Sequence, residues 1–369
     1  MCSEYAVIGG GVVGLSIAHG LLGRGKRVTV FDEGDEAFRA SRGNFGLIWV
    51  QGKGLNEPAY ARWSKRSAAA WHGYADELSD GSGLDLALCQ DGGYDYHMNE
   101  VTLASTVASY EDLKQKLDGD YPFEILRPTA LKKAEPGIGP KVAGAILHHQ
   151  DGHVNPLRLL RALASEVRRL GGVIRTNSHV ANVEAKDGGY KLFLDGEKQA
   201  FAERVVLSAG LGAMGLGPKL GFLTPIRPQR GQVLITEKLP PLMNRPSGTV
   251  RQVNEGGVQI GASSEEVGLD DRETLSVTAR LAKQAIEVFP ALAKAKLLRS
   301  WSALRIMSPD GLPVYQQSAS HPGAFLVTCH SGITLSAAHS RLLPLWLEGQ
   351  ADTPDLTPFS EDRFDVPAV

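Results

Sequence analysis

The run Gly9-Gly10-Gly11-Val12-Val13-Gly14 constrains this chain more than any other feature. An apolar run, Tyr5 to Ile8, precedes it, and a helical pattern, Val12 to Gly23, follows. A second strand-like run, Arg27 to Phe31, ends on Asp32-Glu33. Strand, glycine turn, helix and strand in this order predict a parallel pair joined by a right-handed crossover. The spacing is G-x-G-x-x-G, and each glycine has its own task. Gly9 permits the tight turn out of the strand, Gly11 lets the backbone approach a pyrophosphate, and Gly14 lets the helix lie close to the strand. A pyrophosphate there meets free N–H groups and the positive end of the helix dipole. An acid about 20 residues further on suits a ribose hydroxyl pair. Asp32 is the first choice for that contact and Glu33 its rival, and an acid there disfavours a 2′-phosphate. The pattern alone leaves FAD and NAD both open, beside the plainer reading of a glycine-rich turn in some other α/β protein.

A chain of 369 residues is long enough for two domains and a large core. With 43% hydrophobic and 22% charged residues, neither disorder nor a fibrous class is indicated. The 39 basic residues balance 41 acidic ones, which gives no electrostatic footprint for nucleic acid or an anionic membrane. Cys2, Cys89 and Cys329 lie far apart and read as reduced thiols of a cytoplasmic protein, with no disulfide frame and no structural zinc. No apolar segment approaches the roughly 20 residues of a membrane span. The N-terminus lacks the basic region and cleavage site of a signal peptide. His148, His149 and His153 match no firm ligand pattern, so no metal is expected.

Residues 60 to 80 read as a helix, and the stretch from about 85 to 150 as short strands with a helix near Glu111 to Leu117. An amphipathic helix, Pro156 to Gly171, starts at an Asn155-Pro156 signal. Val173 to Arg175, Val180 to Ala185, Tyr190 to Leu194 and Arg204 to Leu207 read as strands. Residues 225 to 262 alternate apolar and polar, as antiparallel strands do. A helix over Glu273 to Phe289, a strand over Phe325 to Thr328 and a helix over Ser336 to Leu347 complete the pattern.

Past Asp32 the chain reads Ala40-Ser41-Arg42-Gly43-Asn44-Phe45-Gly46. This loop resembles the A-S-x-x-N-x-G segment of the D-amino-acid oxidase superfamily, where it lies against the FAD pyrophosphate and flavin. The resemblance runs along nearly the whole chain, through residues 151–163, 205–213, 227–234, 257–268, 301–314 and 329–339. The segments 43–54 and 329–335 look most like the flavoprotein beta subunits of opine oxidases, D-hydroxyproline dehydrogenases and hydrogen cyanide synthase. There are departures. The family's G-L-R-P is Ala303-Leu304-Arg305-Ile306 here, and its G-H-x-G is represented by His330-Ser331-Gly332.

The resemblance implies an α/β fold: a Rossmann-like FAD-binding domain interleaved with a mixed-sheet α+β substrate domain. The first draws on residues 1–80, 150–215 and 305–369, the second on 81–149 and 216–304. It also implies FAD, held by Gly9, Gly11, Gly14, Asp32, Glu33, Ser41, Arg42, Asn44, Gly46, Val180, Ala209, Gly210, Gly332, Ile333 and Thr334. No cysteine stands beside Arg305 for covalent attachment, so the FAD is expected to be non-covalent. Partner subunits are expected to carry further redox centres, FMN or an iron–sulfur cluster.

Oxidising an amine next to a carboxylate moves a hydride to the flavin, and the protein supplies position and electrostatics. The carboxylate needs an anchor, and arginine offers a planar fork. Arg305 lies on the motif that supplies this arginine in similar oxidases; the alternative is a structural pairing with Asp310. Arg251 is a second candidate cation, suited to a dicarboxylic substrate, or else a plain surface arginine. His330 and Ser331 open the last turn, where backbone N–H groups favour charge on a reduced flavin; a packed histidine is the alternative. Lys53, between Gly52 and Gly54, is placed to reach the active site or to be a solvated loop lysine. The expected function is oxidation of a carboxylate-bearing secondary amine, an opine or D-hydroxyproline, to an imine, within a heteromeric dehydrogenase. The alternatives are a self-sufficient glycine, sarcosine or D-amino-acid oxidase using oxygen, an NAD-dependent dehydrogenase, and a non-catalytic flavin-binding subunit.

Overall fold

A computed structural model describes residues 3–34, 40–196 and 198–364. The strand Ser3–Ile8 lies inside an eight-stranded sheet and pairs in parallel on both sides, with Val28–Phe31 and with Gln199–Leu207. Its inner residues Tyr5, Ala6 and Val7 are fully buried, as a strand covered on both faces requires. The order continues outward through Val173–Arg175 on one side and through Ala324–Thr328 and Val314–Gln317 on the other. Strands from the beginning, middle and end of the chain therefore share one sheet. The hairpin Val180–Lys186 and Gly189–Leu194 is attached beside Gln199–Leu207.

Helix Val12–Gly23 covers this sheet and packs against helix Gly332–Arg341, which also meets the long helix Pro58–Ser82. Their contact is close because Gly20 presents no side chain: a methyl there would strike the carbonyl of Ser340. Buried hydroxyls satisfy one another across the junction, Ser16 Oγ to Ser336 Oγ at 2.7 Å and Tyr74 Oη to Ser336 Oγ at 3.0 Å. The expected terminal helix over Ser336–Leu347 is in fact two, Gly332–Arg341 and Leu343–Glu348. Pro344 explains the break, since it has no N–H to donate and suits only a helix's first turn. The helix expected near Glu111 is longer, Glu100–Lys116, because the Asn99 side chain caps it by accepting from Thr102 N at 2.9 Å.

A second, four-stranded antiparallel sheet orders Val250–Gln252, Gly257–Gly261, Arg227–Lys238 and Leu297–Met307. Leu234, Val250, Val258 and Ile260 on one face pack with Leu281, Ala285 and Val288 of helix Leu275–Val288. The other face meets the nucleotide side, where Trp301 Nε1 donates to Gly43 O at 3.1 Å. The strand carrying Arg305 ends in this sheet at Met307, and the chain rejoins the large sheet at Val314. A three-stranded sheet, Gly93–His97, Gly144–His148 and Glu124–Leu126, stands beside it. Among the described residues no helix is long and apolar enough to cross a membrane.

Candidate active site

Gly9 turns out of the first strand at φ 111°, a conformation that glycine adopts freely. A methyl at Gly14 would collide with the carbonyl of Gly9, so the glycine sets how near the helix lies to the strand. At Gly11 a methyl would come within 2.9 Å of Ser41 Oγ, and that hydroxyl accepts from Val12 N at 3.0 Å. The loop serine thus sits over the helix N-terminus, where an anion is favoured. Asp32 accepts from Gly10 N at 2.8 Å and from Gly34 N at 3.0 Å. An acid at the end of the second strand suits ribose hydroxyls.

Gly9, Gly10, Gly11, Asp32, Glu33, Ser41, Asn44, Ala209, Gly210 and Gly332 all line one cavity between the two sheets. A methyl at Gly332 would meet Val12 Cγ1 at 2.8 Å, so the helices that begin at Val12 and Gly332 start side by side on this cavity. Their dipoles add where a cofactor's negative charge belongs. An adjoining pocket shares Gly9, Asp32, Glu33 and Ala209 and is lined by Ile8, Phe31, Val180 and Leu216, an apolar slot suited to a planar base. Arg42 is exposed and lines neither cavity. Ile333 and Thr334 are buried inside their helix and do not line the cavity.

Asn44 Oδ1 accepts from Gly46 N at 2.7 Å, and Gly46 holds φ 87°. A methyl at Gly46 would lie 2.8 Å from Arg251 Nη2. Arg251 is buried behind this loop, 5.7 Å from the Phe45 ring, with Nη1 2.7 Å from His153 Nδ1 and Nε donating to Gln259 at 2.8 Å. No carboxylate lies within ion-pair distance among the described residues. Burial pushes its pKa down to about 9, with Glu255 opposing. Burial and Arg251 push His153 down to about 3, so its neutral ring accepts a hydrogen bond from the guanidinium. By register Arg251 lies three strands across and six residues along from Arg305, roughly 14 Å by 20 Å. It supports the loop from behind and does not line the cavity.

Arg305 does line it. Nη1 donates to Ser263 O at 2.8 Å and faces Gln229 Oε1 at 3.3 Å; Nε and Nη2 meet no acceptor among the described residues. The structural alternative is not realised, since Asp310 pairs with Arg363 at 2.7 Å. Gly231, two residues along the facing strand from Gln229, leaves the space the guanidinium needs: a methyl there would stand 2.8 Å from Nη2. Burial lowers the Arg305 pKa, with Glu265 opposing.

His330 lines the same cavity beside Ser331 Oγ at 3.2 Å. Burial first, and then the charges of Lys53 and Arg305, push it down to about 3, so the ring is neutral at pH 7. Lys53 Nζ donates to Thr334 Oγ1 at 3.0 Å and lies 5.7 Å from the Tyr60 ring; burial pushes its pKa down to about 7 against the opposing charge of Asp151. Sequence reasoning missed three supporting residues. Asp151, fully buried, accepts from Val50 N at 2.5 Å and Gln51 Nε2 at 2.8 Å and so holds the loop bearing Lys53. Tyr60 reaches Ser331 Oγ at 2.7 Å, and His153 receives Arg251. The adjacency of Asp151 to the histidine run was the only signal, and it pointed elsewhere. Among the described residues, no group of three or more His, Cys, Asp or Glu is placed to hold a metal.

The glycine cradle, the paired helix N-termini, the acid after the second strand and the apolar slot fit a dinucleotide such as FAD. Residues 4–343 match the family model of DAO, FAD dependent oxidoreductase, and the chain belongs to this family. It is an FAD-dependent oxidoreductase whose relatives oxidise amines or amino acids. Among these, it is 40% identical to an opine oxidase subunit of Agrobacterium tumefaciens (strain Ach5), over 98% of this chain and 97% of the relative. It is 39% identical to the corresponding opine oxidase subunit of Rhizobium meliloti, over 98% of each. It superposes on the crystal structure of glycine oxidase from Geobacillus kaustophilus with a TM-score of 0.90 and 25% identity, covering 97% of this chain and 98% of that one.

Proposed function

We propose that this chain is the catalytic subunit of a heteromeric dehydrogenase that oxidises a carboxylate-bearing secondary amine, an opine or D-hydroxyproline, to an imine. The observation that carries the reading is Arg305: a half-buried cation in the FAD cavity with one edge of its fork without an acceptor among the described residues. A cation drawn partly out of water, with an open edge facing the cavity, is well placed to bind a ligand's carboxylate. When bound, FAD supplies the two-electron acceptor. Arg305 Nε and Nη2 hold the substrate carboxylate and so fix the neighbouring carbon. Neutral His330 adds no charge beside the substrate amine, so it does not oppose that amine's approach. The N–H groups at Gly332 favour negative charge at the inner end of the cavity.

The heteromeric part is supported by the two relatives that are named as subunits of an opine oxidase. The glycine oxidase relatives favour a second reading, a self-sufficient oxidase. One experiment separates the two. The FAD-loaded chain is mixed with a panel of secondary-amine carboxylates, first without oxygen to follow flavin bleaching, then in air to follow peroxide. Bleaching without appreciable peroxide, with turnover restored by a dye or a co-expressed partner, is expected. Brisk peroxide from the isolated chain would establish the oxidase, and no bleaching by any amine would refute both.

A further inference from the structure

We infer that Lys53 is a positioning residue for charge: it lies against the first turn of helix Gly332–Arg341, behind the FAD cavity, and takes up a proton when the bound cofactor gains electrons. The inference rests on the FAD assignment alone and is independent of which amine is oxidised. Lys53 is half-buried, and its Nζ donates to Thr334 Oγ1 at 3.0 Å, on the third residue of that helix. The same hydroxyl accepts from Trp49 N at 3.1 Å, and the Thr334 carbonyl accepts from Ser67 Oγ at 2.7 Å and Trp71 Nε1 at 3.0 Å. The lysine is thus tied to a fixed point on the turn whose Cys329, His330 and Gly332 line the cavity.

This is an unfavourable place for a cation. The first turn of a helix carries positive partial charge, and an ammonium there opposes the dipole. No carboxylate stands within ion-pair distance of Lys53 among the described residues. Asp151, whose charge favours the ammonium, is engaged by Val50 N at 2.5 Å and Gln51 Nε2 at 2.8 Å, and burial pushes it up to about 7. The other groups around the lysine bring no negative charge. Burial pushes the Cys329 thiol up to about 12 and raises the Tyr60 hydroxyl above its ordinary range, and His330 is neutral. Burial likewise raises Tyr110 and Tyr121, which bond to the Gly52 backbone, and Glu57 accepts from Ala59 N at 3.1 Å.

What answers the ammonium is negative charge inside the cavity. Its field reaches that far: after burial, Lys53 is the next cause of the shifts at Cys329 and His330, which both line the cavity. A hydride delivered to FAD brings two electrons and one proton and leaves one negative charge. Burial holds Lys53 down to about 7 before that charge arrives, so above this pH the amine is mostly neutral. With the charge in place its proton affinity rises. One further proton then comes from water, and the amine becomes an ammonium. Gly52, exposed beside it, leaves the loop open to solvent.

The test needs neither substrate nor partner. The two-electron midpoint potential of the FAD-loaded chain is measured against reference dyes from about pH 6 to about pH 10. Each proton taken up with two electrons contributes about 30 mV per pH unit. Above about pH 7 the wild type should therefore fall by about 60 mV per pH unit, and Lys53→Met and Lys53→Arg, which cannot titrate there, by about 30 mV. At about pH 8 the arginine variant should be reduced about tenfold to a hundredfold more readily than the methionine variant, the range of a partly screened charge pair. If Lys53→Met does not load FAD, wild type against Lys53→Arg still decides, because arginine stays charged. Equal slopes in wild type and variants overturn the inference. A steep slope kept by Lys53→Met would assign the proton to Asp151 or His330 and overturn it too. Bleaching by amines reports separately on the amine-oxidation reading, which can fail while the slopes differ.

Discussion

Replacing Arg305 tests the site at the point where it makes the strongest claim. Of the five N–H groups of the guanidinium, those on Nη1 are turned to Ser263 O and Gln229 Oε1. The Nε–Nη2 edge remains, and two parallel bonds from such an edge to a carboxylate are the strongest arrangement open to this pair. At about 1.5–3 kcal/mol for each charge-assisted bond, Arg305→Ala forfeits about 3–6 kcal/mol. That is about two to four powers of ten in the second-order rate of flavin reduction. Arg305→Lys keeps the charge but loses the fork and should fall between the two. FAD binding should survive, because the cradle of Gly9 to Gly14 and Asp32 is built from other strands. Stability should change little. The lost partners, Ser263 O and Gln229, border a cavity that water can enter, and the cation removed is half-buried with no counter-ion among the described residues. Flavin absorbance measures occupancy, stopped-flow without oxygen measures reduction, and thermal melting measures stability. A variant fully loaded with FAD and as fast as wild type would refute the assignment. A variant without FAD would mean that the arginine holds the fold instead.

Gly14→Ala should abolish FAD loading and lower the melting temperature, since its methyl strikes the Gly9 carbonyl; recovery of yellow protein melting like wild type would refute this helix–strand contact. Asp32→Ala should weaken FAD by about 1.5–3 kcal/mol in a binding titration, by freeing Gly10 N and removing a ribose acceptor. If Glu33→Ala weakens FAD and Asp32→Ala does not, the ribose acid is Glu33. Lys53, held down to about 7, binds fewer protons folded than unfolded between about pH 7 and about 10.4, so its contribution to stability rises with pH across that window and is most unfavourable below it. Lys53→Met should therefore raise the melting temperature most near pH 6 and least near pH 10; a difference that does not vary with pH would show that the ammonium is not buried.

The nucleotide half was legible because its signals are local. A glycine turn, a helix start and an acid at the end of the second strand all fall within Tyr5 to Glu33, and the predicted strand pair is present in register Tyr5↔Val28 to Ile8↔Phe31. Asn155 could be read as a helix start for the same reason, and its side chain does accept from Leu157 N and Arg158 N at 3.1 Å. The last helix was misplaced because Gly332 and Ile333 carry poor helix propensity, which the packing of Gly332 on Val12 overrides. The burial of Arg251 had no local signal. An arginine on a short strand reads as surface until its strand is known to face the loop that carries Phe45.

The substrate wall resists sequence reading for a more general reason. Arg305, Gln229 and Gly231 meet only because Arg227–Lys238 and Leu297–Met307 pair antiparallel with Gln229 opposite Arg305, across 76 residues of chain. A slip of one residue would turn the guanidinium to the other face of the sheet, toward helix Leu275–Val288. Nothing near Arg305 in sequence records that register. What enforces it is the alternation of Leu234, Val250, Val258 and Ile260 against that helix. The apolar face of the sheet thus determines where its polar face puts charge.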